Sequence, residues 1–445
     1  MKAPIYDFVT GYKQSGAVRF HMPGHKGHGT LGIEGYDITE ITGADVLYSP
    51  NGIISESEDN TTSLFGTAHT YYSTEGSTLA IKAMLAIIKT QKRDTPPVIL
   101  AARNAHRAFI NAAALLDLSV EWIYPTEDSH LCECRLSGED IRAAIESCEA
   151  LPDAVYITTP DYLGNIADVR EIAVVCDLYG IPLLGDNAHG AYLAFLDEPM
   201  HPIALGAAMC ADSAHKTLPV LTGGAYLHIS KKYAEFTTAA RNALSVFAST
   251  SPSYLTLASL DCANRYIAEE LKDDLKKCKQ LITKAKDMLA AAGYTLTGDE
   301  PLKLVIKPGG KGYTGVALSE ILHRGGIECE YADDDYTVLM ASPHNTAEDF
   351  DRLTYALLAL PSLSPLTASG DGVCLTKPKR ALSIRDAVFS PSEMISADSS
   401  LGRICAAPTV CCPPAVAVVV SGEIIDESAI AAFKKYNISK VSVVK

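Results

Sequence analysis

The chain has 445 residues, with 38 Lys+Arg against 53 Asp+Glu, so its formal net charge is −15. An acidic chain with no basic run lacks the face that counterion release requires, which excludes extended nucleic-acid binding. Its 47% hydrophobic and 20% charged residues are those of a folded, core-forming protein, and no stretch approaches the ~20 apolar residues of a membrane helix.

The N-terminal segment breaks at Pro4 and Asp7 before a signal-peptide core can form, so a cytoplasmic location is expected. The 12 cysteines are scattered along the chain and read as free thiols in a reducing compartment. Only Cys132/Cys134 and Cys411/Cys412 are close pairs, and neither has zinc-ligand spacing. His21, His25 and His28 recur at spacings of four and three, but no acidic or cysteine ligand accompanies them, so no metal is expected.

From about residue 77 to 230, helical patterns alternate with short β-branched runs, the signature of a mostly parallel sheet covered by helices. Predicted helices are Ser77–Lys89, Ala105–Leu116, Gly138–Cys148 and Val169–Tyr179. The first is apolar almost all round and should run through the core. Predicted strands are Val98–Arg103, Val120–Tyr124, Ala154–Thr159, Ile181–Gly185 and Ala225–Ile229. One long helical stretch, Pro252–Ala292, follows and stops at Gly293. Beyond it, the run KLVIKPGG, a helix near Val316–His323, the run YTVLMAS and a helix near Ala347–Leu358 predict a smaller α+β domain. The expected division is 1–295, an N-terminal segment with a large domain, and 296–445, with residues 361–380 as a loop.

Four short motifs carry chemistry. Asp212-Ser213-Ala214-His215-Lys216-Thr217 sets a lysine among small and hydroxyl residues, where partial desolvation makes a nucleophilic amine. Thirty residues earlier, Asp186 follows an apolar strand at the end where open α/β sheets bind ligands, with His189 three residues on. A carboxylate there can keep a ring nitrogen protonated. Ser73-Thr74-Glu75-Gly76-Ser77-Thr78 opens the buried helix with backbone amides, hydroxyls and a glycine, a phosphate cradle that is not a P-loop. Arg103-Asn104-Ala105-His106-Arg107 places a histidine at another strand end, able to stack on a planar ring. For each motif alone the plain alternative stays open: a loop lysine, an N-cap aspartate, an ordinary helix cap, a loop histidine. Their order across one α/β domain is that of a pyridoxal-phosphate enzyme of the aspartate-aminotransferase-like fold.

The chain resembles the ornithine/lysine/arginine decarboxylases, in their short form without an N-terminal receiver-like domain. The resemblance rests on FHMPGHKG at 20–27, DITEITGADVL at 37–47, RNAHR at 103–107, DNAHGA at 186–191, SAHKTLP at 213–219 and TSPSY at 250–254. It implies an α/β fold of pyridoxal-phosphate fold type I, with a seven-stranded type of mostly parallel sheet and a smaller C-terminal α+β domain. It also implies that Lys216 holds the cofactor as a Schiff base, Asp186 pairs with its ring nitrogen, His106 stacks on the ring, and His189 lies near the ring hydroxyl or the substrate carboxylate. Gly76, Ser77, Ser213 and His215 would hold the phosphate. Thr250 and Ser251 would reach the phosphate of a partner subunit, since active sites in this family lie at a homodimer interface. The implied activity is decarboxylation of arginine, lysine or ornithine to agmatine or a diamine, as in polyamine biosynthesis. Another pyridoxal-phosphate lyase or aldolase and a non-catalytic paralogue are the rival readings.

The sequence departs from the family at His106-Arg107-Ala108, where members carry His-Lys-Ser, and at Gly223, where they carry Gln. Near the end Ala406-Ala407 stands for Ala-Glu, and Cys412-Pro413-Pro414-Ala415-Val416-Ala417 stands for Tyr-Pro-Pro-Gly-Ile-Pro. The missing glutamate bears on how the distal end of the substrate is gripped. Asp45, Glu56 and Glu58 are the nearest acidic candidates for that role.

Overall fold

The strands that carry the site are short, apolar and buried on both faces, as expected of strands covered by helices on either side. The computed structural model of the chain describes residues 1–92, 95–125, 129–366, 377–410 and 415–445. Seven strands form the largest sheet: β1 (His69–Ser73), β2 (Val98–Ala102), β3 (Ser119–Ile123), β4 (Ala154–Thr158), β5 (Leu183–Asp186), β6 (Met209–Asp212) and β7 (Ala225–Ile229). Their order is β1-β7-β6-β5-β4-β2-β3. The β2–β3 and β5–β6 pairs are parallel, and β7 runs antiparallel to both β6 and β1. The mostly parallel α/β sheet expected from the alternating pattern is therefore present. Of its strands, β1 and β6 had no counterpart in the sequence reading.

Two compact units emerge from the chain's internal packing. The first comprises Met1–Pro97, Asp153–Ile157 and Val169–Lys272. At its centre lies the helix Gly76–Thr90, with Leu79, Ile81, Met84, Leu85, Ile87 and Ile88 all buried, as its all-round apolar pattern predicts. The N-terminal helix Pro4–Gln14 is held by Asp261, whose carboxylate accepts from the Ile5 amide at 2.8 Å, the Tyr6 amide at 3.0 Å and the Ser57 hydroxyl at 2.6 Å. Burial pushes the Asp261 carboxyl up to about 6, against the lowering effect of those hydrogen bonds. The expected continuous helix over 252–292 is two helices, Tyr254–Glu269 and Leu271–Ala291, broken where Glu270 leaves helical geometry at φ −131°. No glycine or proline marks that break, so composition could not reveal it.

The second unit comprises Val98–Pro152, Thr158–Asp168 and Asp273–Lys445. It contains an antiparallel four-stranded sheet in the order β10-β11-β9-β8, formed by β8 (Thr295–Thr297), β9 (Lys303–Lys307), β10 (Tyr331–Ala332) and β11 (Thr337–Met340). The helices Gly315–Arg324 and Ala347–Leu358 belong to it, close to their predicted spans. A C-terminal core of Val416, Val418, Val419, Phe433, Val441 and Val443 completes the unit. Arg103 anchors that core to the end of β2. Its guanidinium donates to the Ala417 carbonyl at 2.6 Å and the Val418 carbonyl at 2.9 Å and faces the Glu423 carboxylate at 3.5 Å. Both charged side chains are almost wholly buried, and Glu423 also accepts the Val420 amide at 2.7 Å, so each charge is met by its partner and by backbone groups. Nine cysteines of the described residues are free thiols, while Cys411, Cys412, Pro413 and Pro414 lie outside the described residues, as do residues 367–376 of the predicted 361–380 loop.

Candidate active site

Parallel pairing of β5 with β6 sets Asp186 opposite Ala211, so the acid and the Asp212–Thr217 turn leave the sheet at neighbouring strand ends. This is the end at which open α/β sheets bind ligands. Asp186 is 1% exposed. Its carboxylate accepts from the Tyr156 hydroxyl at 2.9 Å and the Ala188 amide at 3.3 Å, and it forms no ion pair among the described residues. A buried carboxylate without a cation is costly, and here only two neutral donors meet it. Burial, with the Asp186 charge beside it, holds the Tyr156 hydroxyl well above the usual phenol range, so Tyr156 remains a donor.

The loop after Asp186 returns to the lysine. Lys216 Nζ lies 3.1 Å from His189 Nε2, and His189 is buried. His215 turns away, its Nδ1 2.9 Å from the Gly224 carbonyl. Burial lowers the His215 pKa, against the raising effect of its hydrogen bond to the Gly224 carbonyl, and the nearby Lys216 charge adds to the lowering.

The helix Gly76–Thr90 opens beside this turn. Its N-cap, Glu75, makes no side-chain cap hydrogen bond to the first turn's amides. The Ser213 hydroxyl donates to the Ser77 hydroxyl at 2.8 Å at this helix end. Gly76 takes φ +71° and donates its amide to the Gly223 carbonyl at 2.7 Å. Gly223 itself takes φ +98°, and a Cβ there would sit 2.9 Å from the Thr74 carbonyl oxygen. The glutamine expected by resemblance at that position would therefore need the backbone to move. Hydroxyls, glycine backbone and the amides of a helix N-terminus make a donor-rich end suited to an anion.

Lys216, His189, Asp186, Ser213, His215, Ser77 and Gly76 thus all lie in the first unit. Thr250 and Ser251 are exposed in the same unit, on a loop whose Ser249 amide donates to the Glu75 carboxylate at 2.7 Å. His106 belongs to the second unit. There its Nδ1 caps the helix Arg107–Leu116 by accepting from the Ala108 amide at 3.1 Å, and its backbone bridges to Val416.

Two of the acidic candidates for a substrate cation are already committed. The buried Glu58 carboxylate pairs with Arg241, accepts from the Tyr72 amide at 2.9 Å and lies 3.3 Å from His69 Nε2. Asp45 accepts from the amides of Val46, Asn51, Gly52 and Ile54 at the start of the helix Ile53–Phe65. Glu56, on the same helix, is exposed.

Residues 3–307 match the family model described as Orn/Lys/Arg decarboxylase, major domain. The chain belongs to the Orn/Lys/Arg decarboxylase family. It is 28% identical to an arginine decarboxylase of Halalkalibacterium halodurans over 473 residues, covering 98% of this chain and 94% of that one. In structure it is similar to the lysine decarboxylase LdcF of Francisella novicida, with a TM-score of 0.82, 16% identity, and coverage of 100% of this chain and 81% of that one. An alanine–glyoxylate aminotransferase from Nostoc sp. shares the fold at a TM-score of 0.56 and 17% identity, over 69% of this chain and 86% of that one. The family is one of amino-acid carboxy-lyases on an aminotransferase-like α/β fold, and this chain is an enzyme of that class.

Within this decarboxylase frame, the sequence reading missed Tyr156, the direct partner of Asp186. Its one available signal was a tyrosine in the middle of the largely apolar strand Ala154–Thr158. Within the RNAHR motif, only His106 was given a site role; Arg103 is spent on the C-terminal core and Asn104 donates to the Cys132 carbonyl at 3.2 Å. In the His21/His25/His28 group, His21 meets the Tyr12 hydroxyl at 2.6 Å and His25 the Asp37 carboxylate at 3.2 Å.

Proposed function

We propose that this decarboxylase uses pyridoxal 5'-phosphate to remove carbon dioxide from a basic amino acid, arginine, lysine or ornithine. The observation that carries the reading is the buried Asp186 carboxylate, which has two neutral donors and no cation among the described residues, on the same loop as the histidine that meets Lys216. A protonated ring nitrogen would supply the missing positive partner. The donor set fits the rest of the cofactor: a helix N-terminus without an N-cap side-chain bond and the Ser77/Ser213 hydroxyls suit its phosphate, and Lys216 offers a primary amine to its aldehyde. Gly76 and His215 complete the phosphate side in this reading, His106 stacks on the ring, and Thr250 and Ser251 serve a partner subunit's phosphate.

When bound, the cofactor would supply an electron sink for the pair left on the substrate α-carbon as carbon dioxide departs. Lys216 and His189 do the proton handling. Across their 3.1 Å contact a proton can pass between Nζ and Nε2, leaving the amine neutral for attack and later returning a proton to the substrate carbon. Asp186, water-excluded, holds its negative charge where positive charge must persist, and Tyr156 orients it.

The substrate cation has a restricted choice of partners, because Asp45 and Glu58 are occupied, leaving exposed Glu56 of the three acids considered. We take the working form to be a cytoplasmic homodimer or higher homo-oligomer with sites at the subunit interface. In support, Val18, Phe20, Met22 and Leu31 of the N-terminal segment are all well exposed, an apolar surface suited to a second copy. The large cofactor domain would span 1–295 and the smaller one 296–445. No helix among the described residues is long and apolar enough to cross a membrane. The test is to incubate purified protein and cofactor separately with arginine, lysine and ornithine and assay the amines formed. Aldehyde or keto-acid products would favour a different lyase instead.

A further inference from the structure

Behind the lysine turn lies a closed polar cluster inside the first unit. Asp212, the last residue of β6, is fully buried with His201, Cys210 and His228. Its Oδ2 faces His201 Nε2 at 2.9 Å and His228 Nε2 at 3.2 Å. Its Oδ1 accepts from Asn187 Nδ2 at 2.8 Å and from the Cys210 thiol at 3.3 Å.

His201, Cys210 and Asp212 have ligand atoms close enough to share a metal ion. The hydrogen bonding opposes that use. An imidazole ligating through Nε2 carries its proton on Nδ1, yet His201 Nδ1 accepts the Ile203 amide at 3.3 Å. The proton of His201 is therefore on Nε2, directed at Asp212. For His228, Nδ1 lies 2.9 Å from the Thr70 hydroxyl, itself 2.8 Å from Thr67, which lets Nε2 donate in the same way. Four donors thus converge on one carboxylate. Burial alone would raise its pKa, but the two imidazoles outweigh burial and hold Asp212 well below the usual carboxylate range.

The cluster joins the two strand ends that carry the site. Asp212 immediately precedes Ser213 in the Lys216 turn, and Asn187 immediately follows Asp186. The Asn187 amide also donates to the Ala211 carbonyl at 3.0 Å, and its side chain packs so closely under Gly190 that a Cβ there would lie 1.9 Å from Asn187 Oδ1. Between Asn187 and Gly190 sits His189, the neighbour of Lys216. The geometry points to Asp212 as a positioning residue: through Asn187 it locks the Asp186–His189 loop to the Lys216 turn and so fixes the separation of the two halves of the proton-handling pair. This rests on the cofactor reading for its catalytic consequence but not for its structural one.

The test uses Asp212→Asn, which turns one of the accepting atoms into a donor facing donors, and Asn187→Ala, which removes the side-chain link to Asp212 and leaves the backbone bond to Ala211. In the protein without added cofactor, amide hydrogen exchange over 187–190 and 213–217 should quicken at least ~10-fold in both variants, while exchange over β2 stays unchanged. With cofactor, kcat should fall ~100-fold, the cost of a misplacement of ~1 Å. KM should stay within threefold, and the pH midpoint of the bound cofactor's absorbance should move. If Asp212→Asn does not fold, Asn187→Ala decides the matter by the same readings. Wild-type exchange and kinetics in a folded variant, or stoichiometric zinc in the purified wild-type protein, would overturn the inference. Absence of cofactor absorbance in the wild type would instead refute the cofactor reading, with the exchange result still judging the clamp.

Discussion

Replacing Asp186 by asparagine separates electrostatics from architecture at the site. The carboxamide oxygen of the new side chain can still accept the Tyr156 hydroxyl that now donates to Asp186 at 2.9 Å, so the fold should survive with a melting temperature within a few degrees of wild type. What disappears is the charge. At 1% exposure the carboxylate acts in a water-excluded pocket, where solvent cannot replace it. A hydrogen bond to a charged group is worth ~1.5–3 kcal/mol, and removing a focused electrostatic partner from an enzyme site costs ~2.7–4 kcal/mol in the barrier. The upper range applies because no second carboxylate stands beside Asp186 in the described hydrogen bonding to take over its role, which sets the expected loss in kcat at ~100- to 1,000-fold. The assay is carbon dioxide release from the best of the three basic substrates, run beside a thermal melt and an absorbance titration of cofactor. A variant that folds, binds cofactor and turns over within threefold of wild type would refute the assignment of Asp186.

Gly223→Ala should lower stability by ~1–3 kcal/mol and weaken cofactor binding, read by melting and by titration, because φ +98° and the Thr74 carbonyl 2.9 Å from the new Cβ both oppose a side chain. Arg103→Met leaves the buried Glu423 carboxylate without its cation and should cost ~3–5 kcal/mol in denaturant melts; a loss under ~1 kcal/mol would show that the pair is dispensable. Burial depresses the pKa of His228 below its ordinary 6.5, so the unfolded chain binds a proton that the native chain refuses. Its contribution to stability is present above pH 6.5 and is lost as pH falls from there toward the depressed native value, so His228→Gln should flatten melting temperature against pH across that window. A substrate panel should favour a basic amino acid; efficient turnover of a neutral one, with none of the three basic ones, would overturn the substrate class and leave the cofactor residues standing.

The parts of the site that were legible in sequence are those fixed by local chain geometry. A glycine and hydroxyls at a helix start, an acid just past an apolar strand and a lysine in a small-residue turn each declare themselves within a few residues. The helices Val169–Tyr179 and Ala347–Leu358 and the strand Ala225–Ile229 were delimited in full for the same reason: strong periodicity between clear stops. The strand β1 was invisible because His-Thr-Tyr-Tyr-Ser reads as polar; its buried Thr70 and Tyr72 hydroxyls are tolerable because His228 meets the first and Ser57, Thr61 and Asn264 the second. β6 spans only Met209–Asp212, too short for any period to register. Glu58 stands among the three acidic candidates for the substrate cation because its partner, Arg241, lies 183 residues away and nothing near Glu58 in sequence announces it. The Asp212 clamp was illegible for the same cause, since His201, His228 and Asn187 meet only once the sheet has formed.

The central claim is that Lys216 carries the cofactor. Borohydride reduction of the purified protein with pyridoxal 5'-phosphate, followed by peptide mapping, should place the pyridoxyl mass on the peptide containing Lys216 and nowhere else. Label on another lysine, or none on a protein that decarboxylates, would contradict the account.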